Sequence, residues 1–242
     1  MWYIIAVMEI YNETYLSQIP EDAEVLRLYL KSACIVHKSR SCFNADEYLI
    51  EVCGKKLLLK TYAFRNVLLR VVILRRILRH EWQMLKSFGK MCCVRVPRVY
   101  GIVGNDTLVM EYIEHTSQLE NPRHHRDFKI PPCDFFTELV VGVRCFHACG
   151  LAHGDIRRAN ILVGVDGHGY FIDFASSIAV NAHSFWLCKY IYTQLCRSDM
   201  YSLSKIVLSY YPDWPDEELR LLKERQPLLL RLCRMLRRTF FR

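Results

Sequence analysis

From Ala33 onward, short apolar runs are separated by turn residues. The runs ACIVHKS, EYLIEV and KLLLKTY predict strands, and Gly54-Lys55 between the last two predicts a β-hairpin. From Asn66 to Phe88 the period lengthens to that of a helix. Arg76, Arg79, Gln83 and Lys86 share one face, and Leu69, Val72, Ile73, Ile77 and Leu85 supply an apolar side. Asn66 caps its start and Gly89 its end. RVPRVYGIV and TLVMEYI predict two further strands around the Gly104-Asn105-Asp106 turn. Residues 115–129 are polar and predict a connection, and Pro131-Pro132 follow them. Phe135, Leu139, Val143 and Phe146 then repeat at helical spacing up to Gly150. NILVGV and YFIDF predict strands about an Asp166-Gly167 turn, and Asp199 is expected to open another helix. A charged helix from Asp216, broken near Pro227, leads into an arginine-rich tail.

This order predicts an α+β fold of two lobes, strand-rich first and mostly helical second, divided near residues 114–117. The expected domains are an extension over residues 1–33, a first lobe over 34–114 and a second over 115–242 with a basic last helix. The opening MWYIIAVMEIY has no basic segment before its apolar stretch, so it is expected to form a strand or short helix rather than a secretory signal.

Composition narrows the classes. The chain has 242 residues, 52% of them hydrophobic and 24% charged, which is globular and not disordered. No apolar run reaches the ~18–20 residues of a membrane-spanning helix. The net charge of +8, spread over this length, predicts no specific nucleic-acid partner. The tail carries Arg231, Arg234, Arg237, Arg238 and Arg242 among leucines and phenylalanines. It reads either as an interfacial helix drawn to anionic membrane or as a last core helix with a polar outer side. Eleven cysteines, an odd number without a CxxC pair, predict mostly buried free thiols in a reducing cytoplasm. Cys145, His147, Cys149 and His153 have the look of a zinc cluster, but two of them are better explained by a motif.

That motif belongs to an ordered series. Lys60 ends the strand KLLLK, and Glu81 follows on the helix. His153-Gly154-Asp155 with Asn160 makes an HxDxxxxN string, and Asp173-Phe174-Ala175 follows thirteen residues after Asn160. These residue types suit phosphoryl transfer from ATP, in which the protein positions groups and neutralises charge. A strand Lys can hold phosphates, a helix Glu can hold the Lys, and Asp155 can accept the proton of an attacking hydroxyl. Asn160 and Asp173 offer oxygen ligands of the kind Mg²⁺ takes. Arg157 and Arg158 add cations that can stabilise phosphate charge.

LLLK, MEYI, HGDIRRAN, IDFA and SDMYSLSKI together resemble the protein-kinase-like superfamily over about residues 45–210. HGD in place of HRD and the lack of an APE motif point to the bacterial lipopolysaccharide (Kdo or heptose) kinases and to the RIO-like and other related atypical kinases. The resemblance implies a two-lobed kinase-like fold with a reduced second lobe. It implies Asp155 as catalytic base, Asn160 and Asp173 as metal ligands and Lys60 as phosphate anchor paired with Glu81. The backbone of Glu111 to Ile113 would meet adenine with Met110 behind it, His153 would support the loop, and Asp199 would brace it. The implied cofactors are ATP and Mg²⁺. The implied acceptor is a sugar or glycolipid at the cytoplasmic face of the membrane, with an atypical serine/threonine protein kinase or a nucleotide-binding pseudokinase as alternatives. One departure is plain: RSCFNADE, where a nucleotide loop belongs, has no glycine.

Overall fold

In the strands over residues 46–52 and 55–61, burial follows the two-residue period that the sequence carries. The computed structural model describes residues 15–20, 23–39, 41–120 and 130–224. Strand β1 (Cys34–His37), β2 (Asp46–Val52), β3 (Lys55–Thr61), β4 (Val99–Val103) and β5 (Thr107–Glu111) form one antiparallel sheet in the order β1-β2-β3-β5-β4. The β2–β3 hairpin turns on Cys53 and Gly54, both at positive φ, the conformation that lets a two-residue turn follow the sheet's twist. On one face Tyr48, Ile50, Leu57, Leu59 and Val109 are buried together with Leu26 and Leu30 of helix α1 (Ala23–Ser32). The opposite face aligns Leu58 with Met110 and Lys60 with Leu108. Helix α1 lies in the stretch assigned to an N-terminal extension, whose first fourteen residues lie outside the described ones.

The long helix has three parts: α2 (Val67–Leu69), a π-helical turn over Arg70–Leu74, and α3 (Arg75–Phe88). Asn66 caps it as expected, its Oδ1 accepting the N–H groups of Leu68 and Leu69 at 2.9 and 3.4 Å. The expected apolar side needs correction, because the π turn shifts the register. Val72 and Ile73 are exposed, and the buried line is Leu74, Leu78, Met84, Leu85 and Phe88.

Contacts divide the chain into two compact units: residues up to Lys86 with Pro97–Ile113, and Ser87–Val96 with residues from Glu114 on. In the second unit, α4 (Cys133–Ala148) buries Phe135, Leu139, Val143 and Phe146, the stripe its sequence predicts. Strands β6 (His115–Gln118), β8 (Ile161–Gly164) and β9 (Gly169–Phe171) form a small sheet, and β7 (Leu151–Ala152) pairs with β10 (Ile178–Ala179). Strand β6 lies where a connection was expected, because the backbone of these polar residues finds partners along β8. Helix α5 (Trp186–Tyr210) begins thirteen residues before Asp199, so Asp199 lies inside a helix rather than opening one. Nothing in residues 186–198 breaks a helix, since Gly and Pro are absent there. Helix α6 (Glu217–Glu224) is capped by Asp216, whose Oδ1 accepts the Leu219 N–H at 3.0 Å. The arginine-rich tail lies outside the described residues. No described helix is long and apolar enough to cross a membrane.

Most of the described cysteines are free thiols, as expected, but their expected burial is corrected. Cys93 and Cys145 form a disulfide, and seven of the eight free cysteines among the described residues are exposed. Gly142, one turn before Cys145, lets the Cys93 carbonyl lie where a side chain would crowd it, at 3.0 Å from a built Cβ. Of the four residues with the look of a zinc cluster, Cys145 is cross-linked, and His147 and His153 have other partners.

Gly150 closes α4 at φ +79°, and a Cβ there would lie 2.4 Å from the Val180 carbonyl oxygen. Gly150→Ala is therefore expected to destabilise the fold by about 1–3 kcal/mol, read as a lower urea midpoint at unchanged m-value.

Candidate active site

In the first unit, Lys60 Nζ lies 2.7 Å from Glu81 Oε1. The pair is largely enclosed, with Glu81 1% exposed. Three other cations on this helix are engaged elsewhere. Arg70 and Arg75 both grip Asp106, at 3.3 and 2.7 Å, and Arg79 reaches Asn105. Asp106 follows Gly104 and Asn105, whose positive φ angles turn the chain back between β4 and β5.

Met110 is buried on the same strand face as Lys60, two positions along the β3–β5 ladder. The Glu111 N–H donates to the Arg98 carbonyl at 2.8 Å, and its side-chain Oε2 accepts the Arg98 N–H at 3.1 Å. The Glu111 peptide is thus tied to the segment before β4, and Ile113, two residues on, is buried.

The glycine-free loop between β1 and β2 is built by side chains. The Arg65 guanidinium holds Asp46 with two bonds, of 2.8 and 3.1 Å, and also donates to the carbonyls of Asn44 and Ser39. The N–H groups of Ser39, Ser41 and Phe43 donate to Asp46, Ser39 Oγ and Ser41 Oγ. A glycine-rich loop leaves such N–H groups for phosphate; here three of them already have partners. This arrangement was missed from sequence, although Asp46 and Arg65 bracketing a hairpin were its visible signal.

In the second unit the HxDxxxxN segment hangs from one buried anion. The Asp199 carboxylate accepts the His153 N–H at 2.8 Å, the Gly154 N–H at 2.9 Å and a bond from the His147 ring at 3.2 Å. Gly154 has φ +80°, and a Cβ there would stand 2.4 Å from the Ser176 carbonyl oxygen. That contact explains HGD in this chain, since a side chain after His153 would collide with the segment behind it. The His153 ring is fully buried, and burial lowers its pKa below the usual imidazole value. A neutral ring protonated on Nε2 satisfies both its partners: Nε2 donates to the Ile172 carbonyl at 3.2 Å, and Nδ1 accepts the Asp155 N–H at 3.3 Å. Phe174 packs on that ring at 4.7 Å and on Phe88 at 4.6 Å.

Asp155, Asn160 and Asp173 are brought together on this frame. Asn160 Nδ2 donates to the Asp155 carbonyl at 2.9 Å and to its Oδ2 at 3.0 Å. Burial raises the Asp155 pKa above the ordinary carboxylate value, against the opposing pull of Arg157 and Asn160. Asp173 adopts φ +65°, a left-handed conformation that Asp tolerates better than most residues. Arg157 lies 3.1 Å from Asp155 and 3.9 Å from Asp173. Arg158 turns inward to Ser209 Oγ at 2.7 Å and over the Tyr210 ring. The two carboxylates are partly exposed, and Asn160 gives its amide nitrogen to Asp155, which leaves its amide oxygen as a donor. Hard oxygen donors of this kind fit a divalent cation such as Mg²⁺. No group of three His, Cys, Asp or Glu gathers for a metal among the described residues, so such an ion would draw further oxygens from elsewhere.

The family model of the RIO domain matches residues 60–188, more than half of the chain. The chain belongs to the RIO domain family, part of the protein-kinase-like superfamily. The serine/threonine-protein kinase MRCK gamma of Homo sapiens is 27% identical over 123 residues, 43% of this chain and 8% of that protein. Its Mus musculus counterpart is 27% identical over 121 residues, again 8% of its length. The chain thus spans less than a tenth of the curated relatives it matches. The expected lipopolysaccharide-type acceptor finds no support in these matches, and the RIO-like alternative fits them better.

Two outcomes follow from the frame. Asp199→Asn sets an amide NH₂ against groups that donate to the carboxylate, and is expected to destabilise the fold by about 2–3 kcal/mol, with faster amide exchange at His153 and Gly154. An unfolded chain protonates His153 below pH ~6.5, whereas the folded ring, its pKa lowered, resists the proton. Its contribution to stability is therefore complete above that pH and is lost as pH falls toward the lowered pKa. His153→Gln should flatten the pH dependence of the urea midpoint between about pH 7 and 5.

Proposed function

We propose that this chain is a RIO-type atypical kinase transferring the γ-phosphoryl group of ATP to a hydroxyl of a protein serine or threonine. The observation that carries this reading is the Asp155 carboxylate, fixed by Asn160 in a loop suspended from Asp199 and left partly exposed. In the proposed reaction Asp155 takes the proton of the attacking hydroxyl as its oxygen bonds to phosphorus, and the bond to the β,γ-bridging oxygen breaks to release ADP. Lys60, held by Glu81, is assigned to the phosphates, and Met110 with the Glu111–Ile113 backbone to the adenine. Asn160 and Asp173 would hold Mg²⁺, whose charge offsets that of the phosphates when bound.

A protein acceptor is favoured by two things. The similar mammalian proteins are named as serine/threonine-protein kinases. The start of α5 exposes Phe185, Trp186, Leu187, Tyr190 and Ile191, an apolar and aromatic surface of the kind that partners cover. A nucleotide-binding module without turnover is the second reading, favoured by the loop whose N–H groups at Ser39, Ser41 and Phe43 already have partners.

The test uses γ-labelled ATP and Mg²⁺ with a protein acceptor and a Kdo–lipid A acceptor in parallel. Label is expected on protein, reduced at least about hundredfold in Asp155→Asn with nucleotide affinity retained. Transfer only to the glycolipid would sink the protein-acceptor reading, and nucleotide binding with no label on either would favour the binding module.

A further inference from the structure

The two adjacent arginines of the loop have opposite fates. Arg157 has an extended backbone, φ −150° and ψ 162°, which sends consecutive side chains to opposite sides. Arg158 goes inward to Ser209, so its charge is committed to helix α5. Arg157 remains on the open side, and its one guanidinium spans both carboxylates: Nε faces Asp155 Oδ2 and Nη2 faces Asp173 Oδ2. Asp155 and Asp173 repel one another electrostatically, and Arg157 opposes that effect at Asp155. A divalent cation on the same oxygens would do so with a more compact charge.

We propose that Arg157 is a built-in counter-ion for the Asp155–Asp173 pair, which a divalent cation must displace, so that Arg157 sets the threshold for metal binding. This rests on the assignment of Asp173 to metal above. Arg157 is a positioning residue in this scheme: it offsets one of the pair's two charges when no ion is bound and yields to the ion when one arrives. Its side chain is 58% exposed, so it leaves the pair without opening the core. Exposed ion pairs are weak, and two of them correspond to a modest competition rather than a block. Arg158, half-buried against Ser209 and Tyr210, cannot take its place without dismantling those contacts.

The experiment is a titration of the nucleotide-free full chain with Mn²⁺, free ion being read by electron paramagnetic resonance. Arg157→Gln is expected to bind Mn²⁺ about three- to tenfold more tightly than the unsubstituted chain, Arg157→Lys less so, and Asp173→Asn to lose binding. Thermal melts of Arg157→Gln should match the unsubstituted chain, separating a metal effect from a folding effect. Unchanged or weaker Mn²⁺ affinity in Arg157→Gln, with binding still lost in Asp173→Asn, would overturn the counter-ion proposal alone. Mn²⁺ binding that survives Asp173→Asn would overturn the metal assignment and the proposal with it.

Discussion

The Asp199 carboxylate is the point on which the second unit's chemistry depends. An ionised carboxylate taken out of water is strongly disfavoured unless donors surround it. This one, 1% exposed, has the N–H groups of His153 and Gly154 and the His147 ring. Two successive N–H groups aimed at one anion fix the peptide planes on both sides of His153, and Gly154 follows at positive φ. The chain then leaves toward Asp155 in a set direction. The His153 ring turns the other way to the Ile172 carbonyl, and Ser177 Oγ donates back to the His153 carbonyl. Helix α4, the loop, helix α5 and the DFA segment thus converge on one buried charge. Their hydrogen bonds are satisfied together or not at all.

The first unit applies the same logic to a buried acid in an arginine-rich helix. Glu81 sits on a helix with Arg70, Arg75, Arg76 and Arg79, none of them three or four positions away from it. It pairs with Lys60, while Asp106 takes Arg70 and Arg75, and Asn105 takes Arg79. The β4–β5 turn thus engages three of these four arginines. The π turn contributes as well, by placing Arg70 and Leu74 inward while Val71, Val72 and Ile73 face outward.

Much of this was legible in the sequence, and the parts that were not share a cause. Strand alternation, the Asn66 cap, the apolar stripe from Phe135 to Phe146 and the Gly150 stop are local signals, read from spacing of two to four residues. The Lys60–Glu81 pair and the meeting of Asp155 with Asn160 follow from motif order. What escaped depends on partners far along the chain. Strand β6 looks like a polar connection until β8 lies beside it. Cys93 and Cys145 are 52 residues apart, and no spacing rule joins them. Asp199 was expected to brace the loop, and its carboxylate does turn to a loop 45 and 46 residues earlier; what escaped is its place inside a long helix rather than at the start of one. The π turn also has no composition signal, so Val72 and Ile73 were assigned to the wrong side.

The glycine-free loop alters how anion binding in the first unit has to work. With the N–H groups of Ser39, Ser41 and Phe43 donated to side chains, the backbone there offers fewer dipoles to a phosphate. In the proposed kinase the task passes to Lys60, a compact charge rather than an array of peptide groups. Lys60 is only 13% exposed at its side chain, so its charge is screened less than a surface lysine's would be. Glu81 partly neutralises it, and the phosphates must compete with that carboxylate for the ammonium group. In the second unit the acidic pair at Asp155 and Asp173 has its own arginine, so there too side chains rather than backbone groups hold the opposing charge.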